Sequence, residues 1–318
     1  VKHKKVRISY LCAQKSIGKS INTFDKSIKK KNLPKISKIK DINWNNVKFI
    51  FTALPNGEAQ KIAKLIPSNV KLIDLSGDFR LQNYKLYEKW YGIKHKCKNL
   101  INESIYSVTE FSRKKIPNYK IISCPGCYPT SIQLPLIPIL RKKAVNINNI
   151  IIDSKSGHSG AGKHLKKKYS FVKNLSRSVS AYGVGKHKHT AEIDQQLTLA
   201  AKKEVNVIFT PHLIPMFRGI LSTIYLELSR GYTAKKIYQI IKKYHKNNFF
   251  VKIAKFNNSI GTGNVINTNF CEITVCKSSK KNKIIIISTI DNLIKGASGQ
   301  AVQNMNVASR LNEKMGLF

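Results

Sequence analysis

The chain has 318 residues, of which 42% are hydrophobic and 9% aromatic. It can therefore form two packed domains, and its composition is not that of a disordered protein. No apolar run reaches the roughly 18 residues that a membrane span needs, and the basic start of the chain lacks the apolar segment of a secretory signal. We expect no membrane partner.

The formal net charge of +41 could attract polyanions, so a nucleic-acid-binding protein is one candidate class. The lysines, however, are spread among isoleucine and asparagine along the whole chain. No arginine-rich groove motif or interleaved aromatic set accompanies them. We interpret the charge as a compositional bias, expect no nucleic-acid partner, and expect the charge to attract small anionic substrates.

The six cysteines do not indicate a disulfide framework, because a chain of this size has a core that is stable without one. We expect reduced thiols and a cytoplasmic location. Since the chain begins with Val1 rather than methionine, we also expect that further residues precede it.

In the first half of the chain, buried strands alternate with helices, and a Lys- and Asn-rich stretch at residues 19–46 is predicted to be surface. This alternation is typical of a doubly wound parallel sheet, which is an α/β architecture. The predicted strands are residues 6–11, 47–54, 70–75 and 119–123, and the predicted helices are residues 57–65 and 129–143.

The second half has strands close together, which predicts a mixed or antiparallel sheet in a second, α+β domain. A final helix at residues 299–312 is expected to return to the first domain. The other predicted helices are residues 190–202 and 234–244, and the strands are residues 148–153, 205–210, 220–228, 249–253, 270–275 and 284–290.

The sharpest motif is CPGCYPT at residues 124–130, which follows a strand and opens a helix. A thiol at a helix N-terminus is expected to have a lowered pKa, and the thiolate is the nucleophilic form. We interpret Cys127 as a catalytic nucleophile and Cys124 as a buried neighbour. A redox C-x-x-C pair and a zinc site are the alternatives, although the spacing of Cys271 and Cys276 fits zinc poorly.

A nucleophilic cysteine needs a base, and His187 and His189 are the candidates. Glu192 lies three residues after His189, so on a helix the carboxylate could share a face with that ring and fix its tautomer. The alternative is a pair of exposed histidines in a basic loop.

Several small or charged residues lie where an anion could bind. Glycines at positions 157, 160 and 162 flank Ser156 and Ser159, and bare backbone N–H groups of such loops can hold anions. The turn that contains Ser76 and Asp78, followed by Arg80, comes after a buried strand, where parallel sheets bind ligands. Arg80 and Arg218 suit a phosphate or carboxylate, although a solvated surface role fits either arginine alone.

These stretches occur together, in order, in one family. The chain resembles the N-acetyl-gamma-glutamyl-phosphate reductases of arginine biosynthesis over nearly its whole length. The resemblance rests on TALPNGEA (52–59), DLSGDFRL (74–81), PGCYPT (125–130), SGHSGAGK (156–163), HKHTAEI (187–193), FTPHLIPMFRG (209–219) and DNLIKGASGQAVQNMN (291–306).

The resemblance implies an NADP-dependent acyl-phosphate reductase. Cys127 would attack the acyl phosphate, a thioester would form, and NADPH would reduce it to the aldehyde. A histidine of the HKHTAEI stretch would be the acid and base, and His189 is favoured over His187. The substrate would be held by Arg80, Arg218, Ser76 and Asp78, and the cofactor by Ser156, Gly157, Ser159, Gly160, Ala161, Gly162, Asn292, Pro55 and Lys15.

The chain also departs from the family pattern. The glycine-rich turn that opens the family's cofactor domain does not occur, so the chain is expected to start at the family's second strand, with Lys15 and Lys19 near the 2′-phosphate of NADPH. Ser107 replaces the usual glycine, and Lys163 the usual arginine.

The predicted fold is a Rossmann-type domain at residues 1–126 and 292–318, interrupted by a semialdehyde dehydrogenase-like α+β catalytic and dimerisation domain at residues 127–291. The family implies a homodimer or homotetramer and no metal. The alternative functions are a reductase of lysine biosynthesis that acts on a carrier-bound substrate, a redox C-x-x-C protein and, more remotely, a basic nucleic-acid-binding protein.

Overall fold

Apolar runs along the first third of the chain form a parallel sheet. A computed structural model describes residues 3–28, 33–161 and 177–317. Its four-stranded sheet has the order β3-β4-β6-β5, and every neighbouring pair is parallel. The strands are β3 (Phe49–Thr52), β4 (Lys71–Asp74), β5 (Ser104–Tyr106) and β6 (Ile121–Ser123).

Successive residues of a strand point to opposite faces, and this sheet is covered on both. Leu72 and Ile121 face a cluster that includes Ala63 of helix α1 (Glu58–Leu65). Ile73 and Ile122 face Met305 of helix α7 (Gly299–Ala308). The end of the chain therefore returns to the first domain, as expected.

The start of the chain differs from the prediction. The strand expected at residues 6–11 is wrong, since only Leu11–Cys12 (β1) is extended in a ladder, paired in parallel with Ile36–Ser37 (β2). Val6 and Ile8 are 39% and 37% exposed, because residues 6–10 have no strand partner in the described part of the chain. Ile36 is buried, so residues 19–46 are not wholly surface.

The second sheet has seven strands in the order β11-β12-β13-β10-β7-β9-β8. Its pairs are antiparallel except for β7 with β9 and β11 with β12, so the predicted mixed sheet is confirmed. The strands are β7 (Ile151–Gly157), β8 (Ser180–Ala181), β9 (Ile208–Ile214), β10 (Ile220–Glu227), β11 (Val251–Ile253), β12 (Cys271–Lys277) and β13 (Lys283–Ile290).

Among the described residues, helices cover one face of this sheet and leave the other open. Ile152, Ser154 and Ser156 are buried, whereas the alternating Ile151, Asp153 and Lys155 are not. The covering helices are α4 (Cys127–Leu140), α5 (His189–Ala201) and α6 (Ala234–Tyr244). The open face carries apolar side chains, which matters for assembly.

Helix α4 joins the two sheets and carries the predicted nucleophile at its first residue. Every residue from Tyr128 to Leu140 is buried, and Pro135 and Pro138 lie inside the helix. Helix α2 (Tyr84–Tyr91), helix α3 (Thr109–Ser112) and strands β5 and β8 were not predicted. In the part of the chain that the structure describes, no helix is both long and apolar enough to cross a membrane.

Candidate active site

Cys127 is the first residue of α4, just after the short loop that follows β6, and Gly126 is the helix N-cap residue. The thiol is half-buried. Burial raises the pKa of Cys127 to about 11, although the backbone N–H groups at the helix start and Arg80 act in the opposite direction. The predicted lowering of this pKa is therefore wrong for the free protein, because loss of hydration outweighs the helix N-terminus.

His189 is the first residue of α5, and its ring packs on the turn that carries Cys127. A Cβ atom built on Gly126 would overlap the imidazole, at 2.6 Å from its Cε1 atom and 2.9 Å from its Cδ2 atom. Only glycine at position 126 leaves room for this contact. The ring thus lies beside the residue that precedes the thiol.

The His187 ring lies next to the ring of His189 and packs on Tyr128, the residue after Cys127. Its ring centroid is 4.8 Å from that of His189, and its Nδ1 atom accepts the backbone N–H of His189 at 3.2 Å. The rings of Tyr128, Tyr182 and Phe209 pack edge-on around His187. These contacts make His187 a support for the turn that begins α5, whereas His189 touches the Cys127 turn directly.

Glu192 lies beneath the same turn and is fully buried. One carboxylate oxygen accepts the Gly126 N–H at 2.7 Å and the Tyr106 hydroxyl at 2.6 Å, and the other accepts from Arg80 at 3.2 Å. Burial and Glu192 hold the pKa of Tyr106 well above its usual value, so Tyr106 is a neutral donor. The spacing to His189 did not predict this anchoring of the Cys127 turn.

Arg80 is 7% exposed and reaches toward the nucleophile turn from the end of β4. Its Nε donates to the Cys124 carbonyl at 2.8 Å and its Nη2 to the Leu75 carbonyl at 3.1 Å, in addition to the Glu192 contact. Burial acts to lower the pKa of Arg80, but the Glu192 carboxylate outweighs it and the pKa is raised. Arg80 therefore holds the Cys124 carbonyl and the Glu192 carboxylate in place beside Cys127. Its contact with the substrate stays a prediction.

Asp78 and Ser76 also serve the local structure. The Asp78 carboxylate accepts the backbone N–H of Gly57 at 2.7 Å and of Gln60 at 3.3 Å, which caps the N-terminus of α1. The Ser76 hydroxyl donates to Asp74 at 2.6 Å and accepts the Asp78 N–H at 3.3 Å. These internal bonds already use the polar groups of Asp78 and Ser76. Contact of either residue with the substrate therefore stays a prediction.

Strand β7 is followed directly by a short 3₁₀ turn, His158–Ala161, and the Asn292 side chain bonds to that turn. The Asn292 amide donates to the Ser159 hydroxyl at 3.0 Å and accepts the Gly219 N–H at 2.7 Å. A Cβ on Gly160 would come 3.0 Å from the Ser156 hydroxyl and 3.4 Å from the Asn292 amide. The structure thus brings the predicted loop and Asn292 together. Gly162 and Lys163 lie outside the described residues.

Arg218 follows β9 and is paired. Its Nε lies 3.2 Å from the buried Asp291 carboxylate, and its Nη1 donates to the Asn267 side chain. A Cβ on Gly157 would meet the Arg218 backbone N at 2.6 Å, so the arginine is packed against the β7 loop. The structure therefore places Arg218 beside Asn292 and the Ser156 loop.

Two predicted cofactor residues lie at the carboxyl ends of strands in the first domain. Pro55 is exposed just after β3, and its carbonyl accepts the Glu58 N–H at the start of α1. Lys15 is exposed shortly after β1. Pro55 lies at the edge of the four-stranded sheet at which parallel sheets bind ligands, whereas Lys15 follows a strand of the separate two-stranded sheet.

Gly296 belongs to the 291–306 stretch on which the resemblance rests, but the sequence reasoning did not single it out. It lies in a π-helical turn, Ile294–Ser298, and a Cβ on it would fall 2.7 Å from the Cβ of Cys127. The backbone of this turn therefore packs against the Cα and Cβ atoms of the nucleophile. The sequence signal that could have indicated this contact is the Lys295-Gly296 pair between Ile294 and Ala297.

The alternatives for the cysteines are also placed. Cys124 is fully buried, and burial raises its pKa to about 12 although Asn304 donates to its sulfur. All six cysteines are free thiols. Within residues 3–28, 33–161 and 177–317, no group of three or more His, Cys, Asp or Glu side chains could hold a metal ion.

Comparison with known proteins gives the family of this site. The dimerisation domain of semialdehyde dehydrogenases matches residues 127–292, and their NAD binding domain matches residues 1–119. A reductase of Ehrlichia canis, named N-acetyl-gamma-glutamyl-phosphate reductase, is 40% identical over 317 residues, which cover 99% of this chain and 91% of that protein. The chain belongs to the N-acetyl-gamma-glutamyl-phosphate reductase family.

A plant relative and a solved structure are also similar to this chain. A protein of Oryza sativa, named a probable chloroplastic N-acetyl-gamma-glutamyl-phosphate reductase, is 40% identical, with 99% of this chain and 76% of that protein covered. A crystal structure of aspartate semialdehyde dehydrogenase II from Vibrio cholerae superposes with a TM-score of 0.71 at 17% identity, covering 95% of this chain and 90% of that one. The semialdehyde dehydrogenase fold predicted for the reductase is thus confirmed.

Proposed function

We propose that this chain reduces N-acetyl-glutamyl 5-phosphate to N-acetyl-glutamate 5-semialdehyde, with NADPH as reductant and phosphate as the second product. The observation that carries this proposal is the setting of Cys127, a half-buried thiol at the start of α4 beside the His189 ring. The names of the relatives at about 40% identity support the substrate, and they favour it over a carrier-bound substrate of lysine biosynthesis.

The first step is attack of the Cys127 sulfur on the acyl carbon, with loss of phosphate and formation of a thioester. Because burial raises the pKa of Cys127 to about 11, the thiol must lose its proton to a base as it attacks. We assign that base to His189, whose ring lies against Gly126. His187 then supports the ring of His189, and Glu192 holds the Gly126 backbone in place.

The residues present fit a nicotinamide dinucleotide. Gly160 leaves a space that a Cβ would fill between Ser156 and Asn292, and Pro55 and Lys15 are exposed at strand ends of the first domain. We assign the nicotinamide end to Ser156, Gly157, Ser159, Gly160, Ala161 and Asn292, with Gly162, which lies outside the described residues, as the next residue of that loop. We assign the phosphates to the side of Lys15. The chemistry that NADPH supplies when bound is hydride transfer to the acyl carbon.

We assign the substrate's anionic groups to Arg218, with Arg80, Ser76 and Asp78 holding the surrounding backbone. Arg218 shares its guanidinium between Asp291 and Asn267 and is not fully buried. A planar guanidinium held in this way keeps further N–H groups for a carboxylate or phosphate. Arg80 is more deeply buried and acts through Glu192 and the Cys124 carbonyl.

We also propose that the protein is a homodimer that uses the open face of the seven-stranded sheet. Ile151, Ile208 and Tyr225 lie in one row across β7, β9 and β10 and are 38%, 63% and 41% exposed. A contiguous exposed apolar patch is typical of a protein interface. A homotetramer would need a second interface. A cytoplasmic location stays a prediction, and the plant relatives are named chloroplastic.

The test of the function is the reverse reaction: phosphate-dependent reduction of NADP with N-acetyl-glutamate semialdehyde, followed by NADPH absorbance. The protein should carry any residues that precede Val1 in its gene. We expect activity in the native protein, loss of at least about 10³-fold with Cys127→Ser, and a mild effect of the matched Cys124→Ser. Equal damage from both would favour a redox pair, and activity only with a carrier-bound substrate would favour the lysine-pathway reaction.

A further inference from the structure

Lys295 is a buried cation that the mechanism above does not use. Its side chain is 0% exposed, and so is that of its partner Glu110, whose Oε1 atom lies 2.7 Å from the Lys295 Nζ. The same ammonium donates to Gln303 at 2.8 Å. Burial acts to raise the pKa of Glu110, but Lys295 and the neighbouring donors outweigh it and lower the pKa. The Glu110 carboxylate is therefore favoured in its ionised form although it lies in the core.

The position of this pair is unusual for a purely stabilising contact. Removing two charges from water is costly, and apolar residues of similar volume often stabilise a core as well or better. The pair nevertheless lies next to Gly296, which packs against the Cβ atom of Cys127. Lys295 and Gly296 belong to the same π-helical turn, Ile294–Ser298, and such turns are frequent at functional sites.

The pair also lies at the point where the chain crosses from the second domain back to the first. Glu110 belongs to α3, which follows β5 of the parallel sheet. The π-helical turn leaves β13 of the seven-stranded sheet and leads into α7, which packs on the parallel sheet. Cys127 begins α4 of the second domain. The Lys295–Glu110 contact thus fixes how this crossing lies against the nucleophile.

Neighbouring polar groups hold the pair in one geometry. Gln303 of α7 accepts from Lys295 and donates to Glu110 at 2.9 Å, and its carbonyl oxygen also accepts from Asn269 at 2.9 Å. Before the turn, Asp291 accepts the Leu293 and Ile294 N–H groups at 2.9 and 3.1 Å. Both ends of the turn are therefore fixed, and Gly296 lies between them.

We propose that Lys295 and Glu110 are positioning residues that hold Gly296 against Cys127, and so set where the Cys127-bound acyl group lies relative to the cofactor on the first domain. The inference rests on the proposed function for its catalytic consequence. Its structural part, the packing of Gly296 against the Cys127 side chain, can be measured without substrate.

The experiment separates positioning from stability by removing one charge or both. Lys295→Met leaves Glu110 buried and unpaired, and we expect a lower Tm and a kcat reduced at least tenfold. Lys295→Met/Glu110→Leu removes both charges, and we expect most of the Tm to return because no unpaired ion remains. Its kcat should stay at least tenfold below the native value, with the KM for NADP changed less than about threefold.

The substrate-free readout is alkylation of Cys127 by iodoacetamide at pH 8, measured by mass spectrometry of the peptide that contains it. If Gly296 moves away, the thiol becomes more accessible, and we expect at least fivefold faster alkylation in the double variant. This arm remains informative even if the native protein fails to reduce NADP with the proposed substrate, which would contradict the proposed function alone.

The matched control is Lys71→Met. The Lys71 ammonium is partly buried and donates to the Pro117 and Tyr119 carbonyls at 2.8 and 2.7 Å, at the opposite end of β4 from the site. We expect a lower Tm with kcat and Cys127 alkylation within twofold of native. Recovery of Tm, kcat and alkylation rate together in the double variant would overturn the proposal, because the pair would then only stabilise the fold.

Discussion

At the scale of single residues, Cys127 combines a reactive position with a protected state. The helix start and Arg80 favour the thiolate, and burial disfavours it. Burial has the larger effect, so the free protein holds a neutral thiol. Alkylation and oxidation both need the thiolate. The neutral thiol is therefore protected from both reactions until a base removes its proton.

The pH dependence of Cys127 alkylation tests this state. Because its pKa is raised to about 11, the thiolate fraction should rise about tenfold for each pH unit between 7 and 10. We expect the alkylation rate of Cys127 to follow that slope. The exposed Cys12, followed in the same digest, is the internal control. A Cys127 rate that levels off below pH 8 would contradict the neutral thiol.

The sequence predicted which residues meet at the site better than it predicted what each one does. Cys127, His189 and Glu192 were named from a motif and a spacing, and the structure brings them to one turn. The predicted pKa shift had the wrong sign, since the burial that raises the pKa of Cys127 depends on tertiary packing, which a local motif does not specify. Asp78 was read as a ligand contact, although its carboxylate caps α1, a bond that the sequence pattern does not distinguish from ligand binding.

At the scale of elements, the regular strands and helices were predictable and the short ones were not. Helix α6 matches its prediction at both ends, because its apolar spacing and its Thr233 cap are local signals. Strand β5 and helix α3 have only a few residues each, and tertiary packing specifies them. The same limit applies to β1, whose extent depends on the strand available to pair with it.

Helix α5 carries a carboxylate whose titration should be visible in stability. Burial raises the pKa of Asp194 to about 6, although the Val207 N–H donates to it at 3.0 Å. The folded protein therefore binds this proton more tightly than the unfolded chain, whose aspartate pKa is about 4. Stability falls as pH rises between these values, and the cost is fully present above about pH 6.

Asp194→Asn keeps an oxygen for Val207 and removes that cost. After discounting for partial exposure, we expect the free energy of unfolding to increase by about 1 kcal/mol at pH 8 and to change little at pH 4.5. Urea unfolding at the two pH values measures this difference. Glu204→Gln, on an exposed neighbouring residue, is the control and should show no such pH dependence. An equal gain at both pH values would contradict the titration of Asp194.

At the scale of the whole molecule, two sheets meet at α4, and the part of the chain that the structure describes leaves one sheet face uncovered. In that part, the parallel sheet is packed on both faces, whereas the seven-stranded sheet has helices on only one. The net charge of +41 acts against association of copies through ordinary polar surface, because like charges repel. An interface between copies is therefore best placed where apolar side chains replace lysine, as they do along Ile151, Ile208 and Tyr225.

Charge placed in that row should separate the protomers. Ile208 and Tyr225 lie on strands that flank β7, and Ile208→Glu/Tyr225→Glu would bury carboxylates against an apolar partner surface at a cost of several kcal/mol. We expect light scattering after gel filtration to give a dimer for the native protein and a monomer for this variant. Leu65→Glu, on the 58% exposed Leu65 of α1, is the matched control and should remain dimeric. A native monomer would contradict the proposed dimer, and a charged variant that stays dimeric would place the interface elsewhere. A monomeric variant that keeps its activity would show that each active site is complete within one chain. That result is expected if Cys127, His189 and the Ser156 loop all come from the same protomer.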